Sequence, residues 1–463
     1  MAPSTRTSKL LFAILTRLHF YVGLFIGPFI LVAALSAIAY LLSPPLESWV
    51  YRDALTATSQ VPEQPLADQV ATAQRYLETD TLPSAVRPAP EPGATSRIMF
   101  SDETLGPSEH RAIFIDPGSL EVRGDTTVYG TSGILPLRTA IDHFHRQLLL
   151  GDTGRLYSEL AASWLWIAAL GGIVLWLWQR RSLKRAGPAL ATRRRHATIG
   201  AVIAVGLLFF SATGLTWSKW AGGNIGELRS AMNWGTPSVS TSLEQATTET
   251  SDPHAEHNHA GHSAAPMAMA SSFALTDFDR ALGAARAAGL DATRIQLAPP
   301  AASGQAWRVA EIDRRWPTQV DQVALHPQSM AVLDQTDFTT FPLAAKLTRW
   351  GVDLHMGVMF GLANQLVLAM IALGLVTLIF WGYRMAWRRL NAASGQRFPT
   401  VSEPWLKLPL GIKLVTALIA IALGFALPVM GVSLLAFAVV DALRWWGLSR
   451  KKLRSGKESL SQS

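Results

Sequence analysis

The sequence predicts an α-helical polytopic membrane protein with four core transmembrane helices, a C-terminal hairpin and two large α+β domains outside the membrane. Three observations carry this: apolar runs of spanning length, basic connectors segregated from acidic loops, and a repeated order of span, domain and span.

A helix needs about 20 apolar residues to cross a hydrocarbon core of about 30 Å. Residues 1–42 form the first predicted span, apolar from Leu10 to Leu42. The apolar core of a cleaved signal is shorter, and no small-residue cleavage site follows, so this run is read as retained. The second span is 157–179, the third 197–220 and the fourth 351–385, with its apolar run from Met356 to Tyr383. Residues 406–447 are long enough for two more helices, and Pro428 and Gly431 supply the turn of a hairpin.

Charge sets the orientation. No acid occurs between Glu159 and Glu227, yet that stretch holds Arg180, Arg181, Lys184, Arg185, Arg193, Arg194 and Arg195. Arg384, Arg388, Arg389 and Arg397 mark a second basic connector, and Arg450, Lys451, Lys452 and Arg454 follow the last span. The positive-inside rule therefore places both termini, the connectors 180–196 and 386–405 and the tail 448–463 in the cytoplasm of a bacterial inner membrane. Residues 43–156 and 221–350 then lie outside. Of the 33 acids, only Glu403, Asp441 and Glu458 fall beyond residues 47–353, so the net charge of +8 reflects topology and calls for lipid, not nucleic acid. The chain has no cysteine, which excludes disulfides, Fe–S clusters and covalently attached c-type haem.

Each outside segment reads as a helix followed by short strands. In the second, 273–289 has helical spacing, and 294–297, 306–312, 319–325 and 331–334 read as strands, with His326-Pro327-Gln328 as a turn. In the first, helix 67–77 precedes strands 97–100, 111–115 and 120–123, with Asp116-Pro117-Gly118 as the turn. The membrane segments repeat too. RLHFYVGLFIGPFI (17–30) aligns with RRHATIGAVIAVGL (194–207), placing His19 on His196 and Gly23 on Gly200. HFHRQLLLG (143–151) aligns with DLHMGVMFG (353–361), placing His145 on His355 and Gly151 on Gly361.

Ionisable residues at membrane helices are functional candidates by default. His19 and His196 fall near the cytoplasmic start of outward spans, and His145 and His355 just outside inward ones. Neutral imidazole is an axial ligand for haem iron, and one helix cannot supply both faces, so pairing by depth gives His19 with His196 inside and His145 with His355 outside. Gly23 and Gly200, four residues after a histidine, leave backbone clearance for a planar ligand. Arg17, Arg195 and Arg146 are candidate partners for propionates. The bland reading is four interfacial histidines with ordinary polar roles.

The motifs FHRQLLLGDTGRLY (144–157), LHMGVMFG (354–361) and RRHATIG (194–200) make the chain resemble the PepSY-associated transmembrane family, over almost all of it to about residue 390. The resemblance implies that the outside domains are PepSY-like. It implies two b-type haems ligated by His19, His196, His145 and His355. It also implies a haem-dependent metalloreductase, similar to the di-haem ferric-siderophore reductases. His143, two residues before His145, is an alternative ligand. The hairpin after residue 404 is not essential to the family pattern and receives no role.

The tract HAEHNHAGH (254–262) offers His254, His257, His259 and His262, followed by Met267 and Met269, as auxiliary metal ligands suited to copper, zinc or nickel. The alternative is a solvated low-complexity linker. Tryptophans at span ends form an interfacial belt. His110 and His326 read as surface or turn residues, and Asp441 with Arg444 as an ion pair one helical turn apart. No G-x-G-x-x-G follows a predicted strand, and the cytoplasmic connectors are too short for a nucleotide-binding domain, so the electron donor is quinol or a separate reductase. Three functions follow: reduction of a periplasmic ferric siderophore, reduction of periplasmic copper or a redox partner protein, and a non-redox regulator binding peptide or protease.

The topology is directly testable. A periplasm-active reporter fused after Pro90 or Ser240 is expected to be active, and one fused after Gly187 or Ser394 silent; the reverse pattern contradicts the orientation.

Overall fold

A computed structural model of the protein describes residues 5–185, 190–243, 250–251, 274–391 and 398–461. It divides into two compact units: Met1–Ile38 with His143–Glu227 and Val367–Ser463, and Ala39–Asp142 with Leu228–Leu366. In chain order, α1 (Thr5–Tyr21), a π-helical stretch (Val22–Ile26) and α2 (Gly27–Val50) are followed by α3 (Leu66–Leu77) and strands β1 (Ala85–Arg87), β2 (Ser96–Phe100), β3 (Glu109–Ile115) and β4 (Val122–Tyr129). Next come helices α4 (Pro136–Gln147), α5 (Gly151–Arg185), α6 (Ala191–Thr216) and α7 (Trp220–Ala231). The second repeat supplies α8 (Asp277–Ala287), β5 (Ile295–Ala298), β6 (Trp307–Glu311), β7 (Gln322–Leu325), β8 (Val332–Thr336), α9 (Leu343–His355) and α10 (Gly361–Asn391). Helices α11 (Leu410–Ala426) and α12 (Pro428–Ser461) close the chain.

Among the described residues, five helical segments are long and apolar enough to cross a membrane: Arg6–Val50, Gly151–Arg180, Ala191–Thr216, Gly361–Asn391 and Pro428–Arg450. Leu410–Ala426 is a shorter apolar helix. The boundaries differ from the predicted ones in informative ways. The first helix continues beyond Leu42 through Pro44 and Pro45. Pro44 cannot donate to the Tyr40 carbonyl four residues back, and the Ser43 hydroxyl donates there instead, at 2.6 Å. The predicted connector 180–196 shortens from both sides, because α5 runs to Arg185 and α6 begins at Ala191, so His196 lies within a helix. The predicted fourth span, 351–385, is broken between His355 and Gly361. An equivalent break separates α4 from α5, and Gly151 and Gly361 both start their helices at positive φ, +59° and +55°. That conformation favours glycine, which explains its place in both copies.

In the first unit, Ile30 and Ala34 of α2, Ala161, Leu165 and Ala169 of α5, Leu207 of α6 and Leu375 of α10 form one apolar cluster. Helices in lipid gain little from apolar burial and associate through close packing of small residues. A Cβ on Gly206 would lie 2.6 Å from the Ile371 side chain, and one on Gly431 would lie 2.6 Å from the Gly424 carbonyl oxygen. The fully buried Glu159 carboxylate accepts the backbone N–H groups of Trp220 and Ala221 at 2.9 and 3.1 Å, capping α7. Asp441 does not pair with Arg444 as expected. Its carboxylate accepts from Val401 N–H and Ser402 N–H at the start of the short helix Ser402–Leu406, while Arg444 donates to Phe398 O and the Tyr21 hydroxyl.

In the second unit the two predicted outside domains share one sheet. Eight strands run in the order β8-β7-β6-β5-β1-β2-β3-β4, with the halves joined by the antiparallel pair β1–β5 at Val86 and Leu297. The short β1 has no counterpart among the predicted strands, and β4 runs further than predicted, to Tyr129. One core also serves both halves: Val70 and Ala73 of α3 and Phe278, Ala281 and Ala285 of α8 bury with Ile98, Leu297, Trp307 and Val309 of the sheet. The repeat extends to turn chemistry. Asp116 Oδ1 accepts from Gly118 N and Ser119 N, and His326 Nδ1 accepts from Gln328 N and Ser329 N, with Leu120 and Met330 both at positive φ. Burial of Asp116 opposes its ionisation, but hydrogen bonds from Ser59, Ser119 and Thr58 outweigh it and hold the carboxyl well below the ordinary range.

The halves exchange a helix cap: Asp279 of α8 accepts from Leu66 N and Ala67 N, at 2.7 and 3.0 Å, at the start of α3. Asp279→Ala is expected to destabilise this unit by about 1–2 kcal/mol. Denaturant unfolding followed by tryptophan fluorescence measures it; an unchanged midpoint would show that the cap contributes nothing.

Candidate functional site

His19 lies in the last turn of α1, and the π-helical stretch begins three residues later. Gly27 N–H donates to Val22 O, the five-residue step of a π turn, and the Leu24 carbonyl accepts from the Tyr383 hydroxyl of α10 at 2.7 Å. Single π turns inside α-helices are frequent at functional sites. His196 stands on α6. The two imidazole rings are neighbours, with centroids 6.3 Å apart and planes at 83°. A metal held between opposed imidazoles, with bonds of about 2 Å, places the centroids roughly 6 Å apart.

The environment of each ring suits that role. Nδ1 of His196 lies 3.1 Å from the Leu378 carbonyl oxygen. A carbonyl only accepts, so Nδ1 carries the proton and Nε2 keeps its lone pair, the arrangement usual in metal-ligating histidine. Nδ1 of His19 is buried, and no hydrogen bond to it is formed. Glycines make room for both rings. A Cβ on Gly172 of α5 would lie 3.3 Å from His19 Cε1, and one on Gly382 of α10 would lie 3.9 Å from His196 Cε1. A Cβ on Gly23 would meet no atom within 4 Å, so the space beside it, one turn beyond His19, is open. One on Gly200 would meet only Leu378, at 3.7 Å.

His145 lies in the last turn of α4, where its Nδ1 is 2.9 Å from Ser36 Oγ of α2. The Ser36 hydroxyl is also 2.7 Å from the Val32 carbonyl oxygen. His145 O accepts from the Tyr157 hydroxyl at 2.9 Å. His143, half-buried, is on the same helix two residues earlier. His145 belongs to the first unit and His355 to the second.

His355 is the last residue of α9, half-buried. The turn that carries it is fixed by Asp353, whose fully buried carboxylate meets Arg314 Nε at 2.6 Å and Arg349 Nε at 3.2 Å. Arg314 also donates to Ser132 Oγ at 2.6 Å. Removing one member of such a buried set strands a charge and is costly. Asp353 occupies the place of His143 in the repeat, so the second copy carries an ion-paired acid where the first carries an extra imidazole.

Of the arginines expected beside a propionate, Arg17 is directed elsewhere, donating to the Thr400 carbonyl and meeting Glu403 at 3.4 Å. Arg195 is exposed and Arg146 half-buried. His254, His257, His259 and His262 lie outside the described residues. Among the described residues, no group of three or more His, Asp or Glu side chains is placed to hold a metal ion. His110 bonds Ser84 Oγ at 3.2 Å, and burial, with Arg87 nearby, holds its pKa below the ordinary value.

The neighbours of the candidate histidines and their helices that the sequence reading did not include are Ser36, Gly171, Gly172, Gly382 and Tyr383. The Gly171-Gly172 pair within an apolar run was the visible signal, since paired small residues mark close helix contacts. The profile of a known family, described as the PepSY-associated TM region, matches residues 16–389. A search of curated proteins gives no match.

Proposed function

Since the chain belongs to the PepSY-associated transmembrane family, we propose that it is a di-haem b electron carrier of the bacterial inner membrane, with both termini cytoplasmic. His19 and His196 hold the inner haem, and His145 and His355 hold the outer one. The observation carrying the proposal is the neighbouring His19–His196 pair, 6.3 Å between centroids, with His196 Nδ1 committed to a carbonyl. Bound there, haem supplies one-electron transfer between its ferrous and ferric states. The protein's part is to fix both rings, present Nε2 of His196, and keep the inner site within apolar helices. The outer pairing rests on the repeat, which puts both histidines six residues before a left-handed glycine.

The donor is quinol or a cytoplasmic-side reductase, and the acceptor a periplasmic ferric siderophore. One electron converts Fe(III) to Fe(II), which hard oxygen chelators hold far less tightly, so the metal is released. On this reading the two halves of the sheet are PepSY-like domains fused at their edges and exposed to the periplasm. A second acceptor, copper, is favoured by the imidazole and thioether tract at 254–269.

A pyridine haemochrome assay on the purified protein is expected to give two b-type haems per chain, and one after His19→Ala or His196→Ala. Absence of haem would end the redox reading in favour of a peptide-binding regulator. Deleting residues 254–262 is expected to leave ferric-chelate reduction intact; loss of copper reduction alone would select the copper reading.

A further inference from the structure

Residues 398–461 lie beyond the matched region, and the proposed function gives them no task. Several of their polar contacts reach the turn of α1 that bears His19. Tyr21, two residues after His19, is 3% exposed; its hydroxyl donates to the Pro399 carbonyl at 2.9 Å and accepts from Arg444 at 3.2 Å. Arg444 also donates to the Phe398 carbonyl at 2.8 Å. Arg17, two residues before His19, donates to the Thr400 carbonyl. Asp441, on α12 one turn before Arg444, accepts from Val401 N–H at 3.0 Å and from both Ser402 N–H and Ser402 Oγ at 2.7 Å. Five consecutive residues, Phe398 to Ser402, thus each have a backbone group held by either α1 or α12. Apolar contacts follow the same line: the Tyr21 ring packs on Phe437 at 5.3 Å, and Val22 shares a cluster with Leu427 and Met430.

These contacts bracket His19 where its helix is least regular. The π-helical stretch begins next to Tyr21, and a shift of one residue in its winding turns an attached side chain by about 100°. Gly23 inside it has no neighbour to lock its rotation. We infer that the C-terminal hairpin is a positioning device for His19: the strap 398–402, clamped by Arg444 and Asp441, fixes the rotation of α1 through Tyr21 and Arg17. The inference rests on the proposed haem role of His19. Tyr21, Arg444 and Asp441 are positioning residues, since they act on the ligand through its helix.

The test uses protein also carrying His145→Ala, so that haem occupies only the inner pair. Tyr21→Phe keeps the ring and removes both hydroxyl contacts; Arg444→Ala removes the clamp from the other side. Each is expected to shift the low-spin electron paramagnetic resonance signal of the inner haem. The double variant should shift by less than the sum of the two singles, because they share the Tyr21–Arg444 contact. Ser433→Ala removes a different hairpin contact, the 2.9 Å bond from Trp164, and is expected to leave the signal in place. Unshifted signals in both single variants, or an equal shift in Ser433→Ala, would overturn the inference while sparing the proposed function. A parent protein that binds no haem would overturn both.

Discussion

An imidazole set among apolar helices is costly unless its nitrogens find partners, because there is no water to take their place. Much of the membrane unit is arranged around two such rings. Leu378 offers His196 a carbonyl, Gly171 and Gly172 draw α5 close to His19, and Gly382 does the same for α10 beside His196. Pro28, four residues after Leu24, has no N–H to give the Leu24 carbonyl, and the Tyr383 hydroxyl donates to it instead. Each of these contacts fixes a ring or the backbone that carries it. None places a charge against the pair.

The sheet unit answers a different constraint. A four-stranded sheet standing alone leaves two edges with unpaired backbone groups. Joining β1 to β5 covers one edge from each half, and the exchanged Asp279 cap ties the two helices that bury the common core. Each half therefore covers a sheet edge and part of the core of the other. The buried set of Arg314, Asp353 and Arg349 then holds the turn before His355 from within this unit.

The apolar spans, the helix-then-strands order and the nearness of His19 to His196 were legible in the sequence, because hydropathy and short repeats are local signals. What escaped was non-local. Nothing near Val86 or Leu297 says that they pair across two loops. The segment around Pro44 and Pro45 reads as a helix end, although one serine hydroxyl replaces a missing donor there. Asp441 and Arg444 are one turn apart and invite an ion pair, yet each finds backbone groups far along the chain. The π turn was not anticipated either, although Pro28 just beyond it removes a helical donor.

The proposed function turns on electrons crossing the bilayer through this chain. The most direct measurement seals the purified protein in liposomes with reduced quinol as donor and an impermeant ferric chelate outside. The account predicts external Fe(II) that depends on the protein and is abolished by His196→Ala. Equal external reduction by the His196→Ala protein would contradict it.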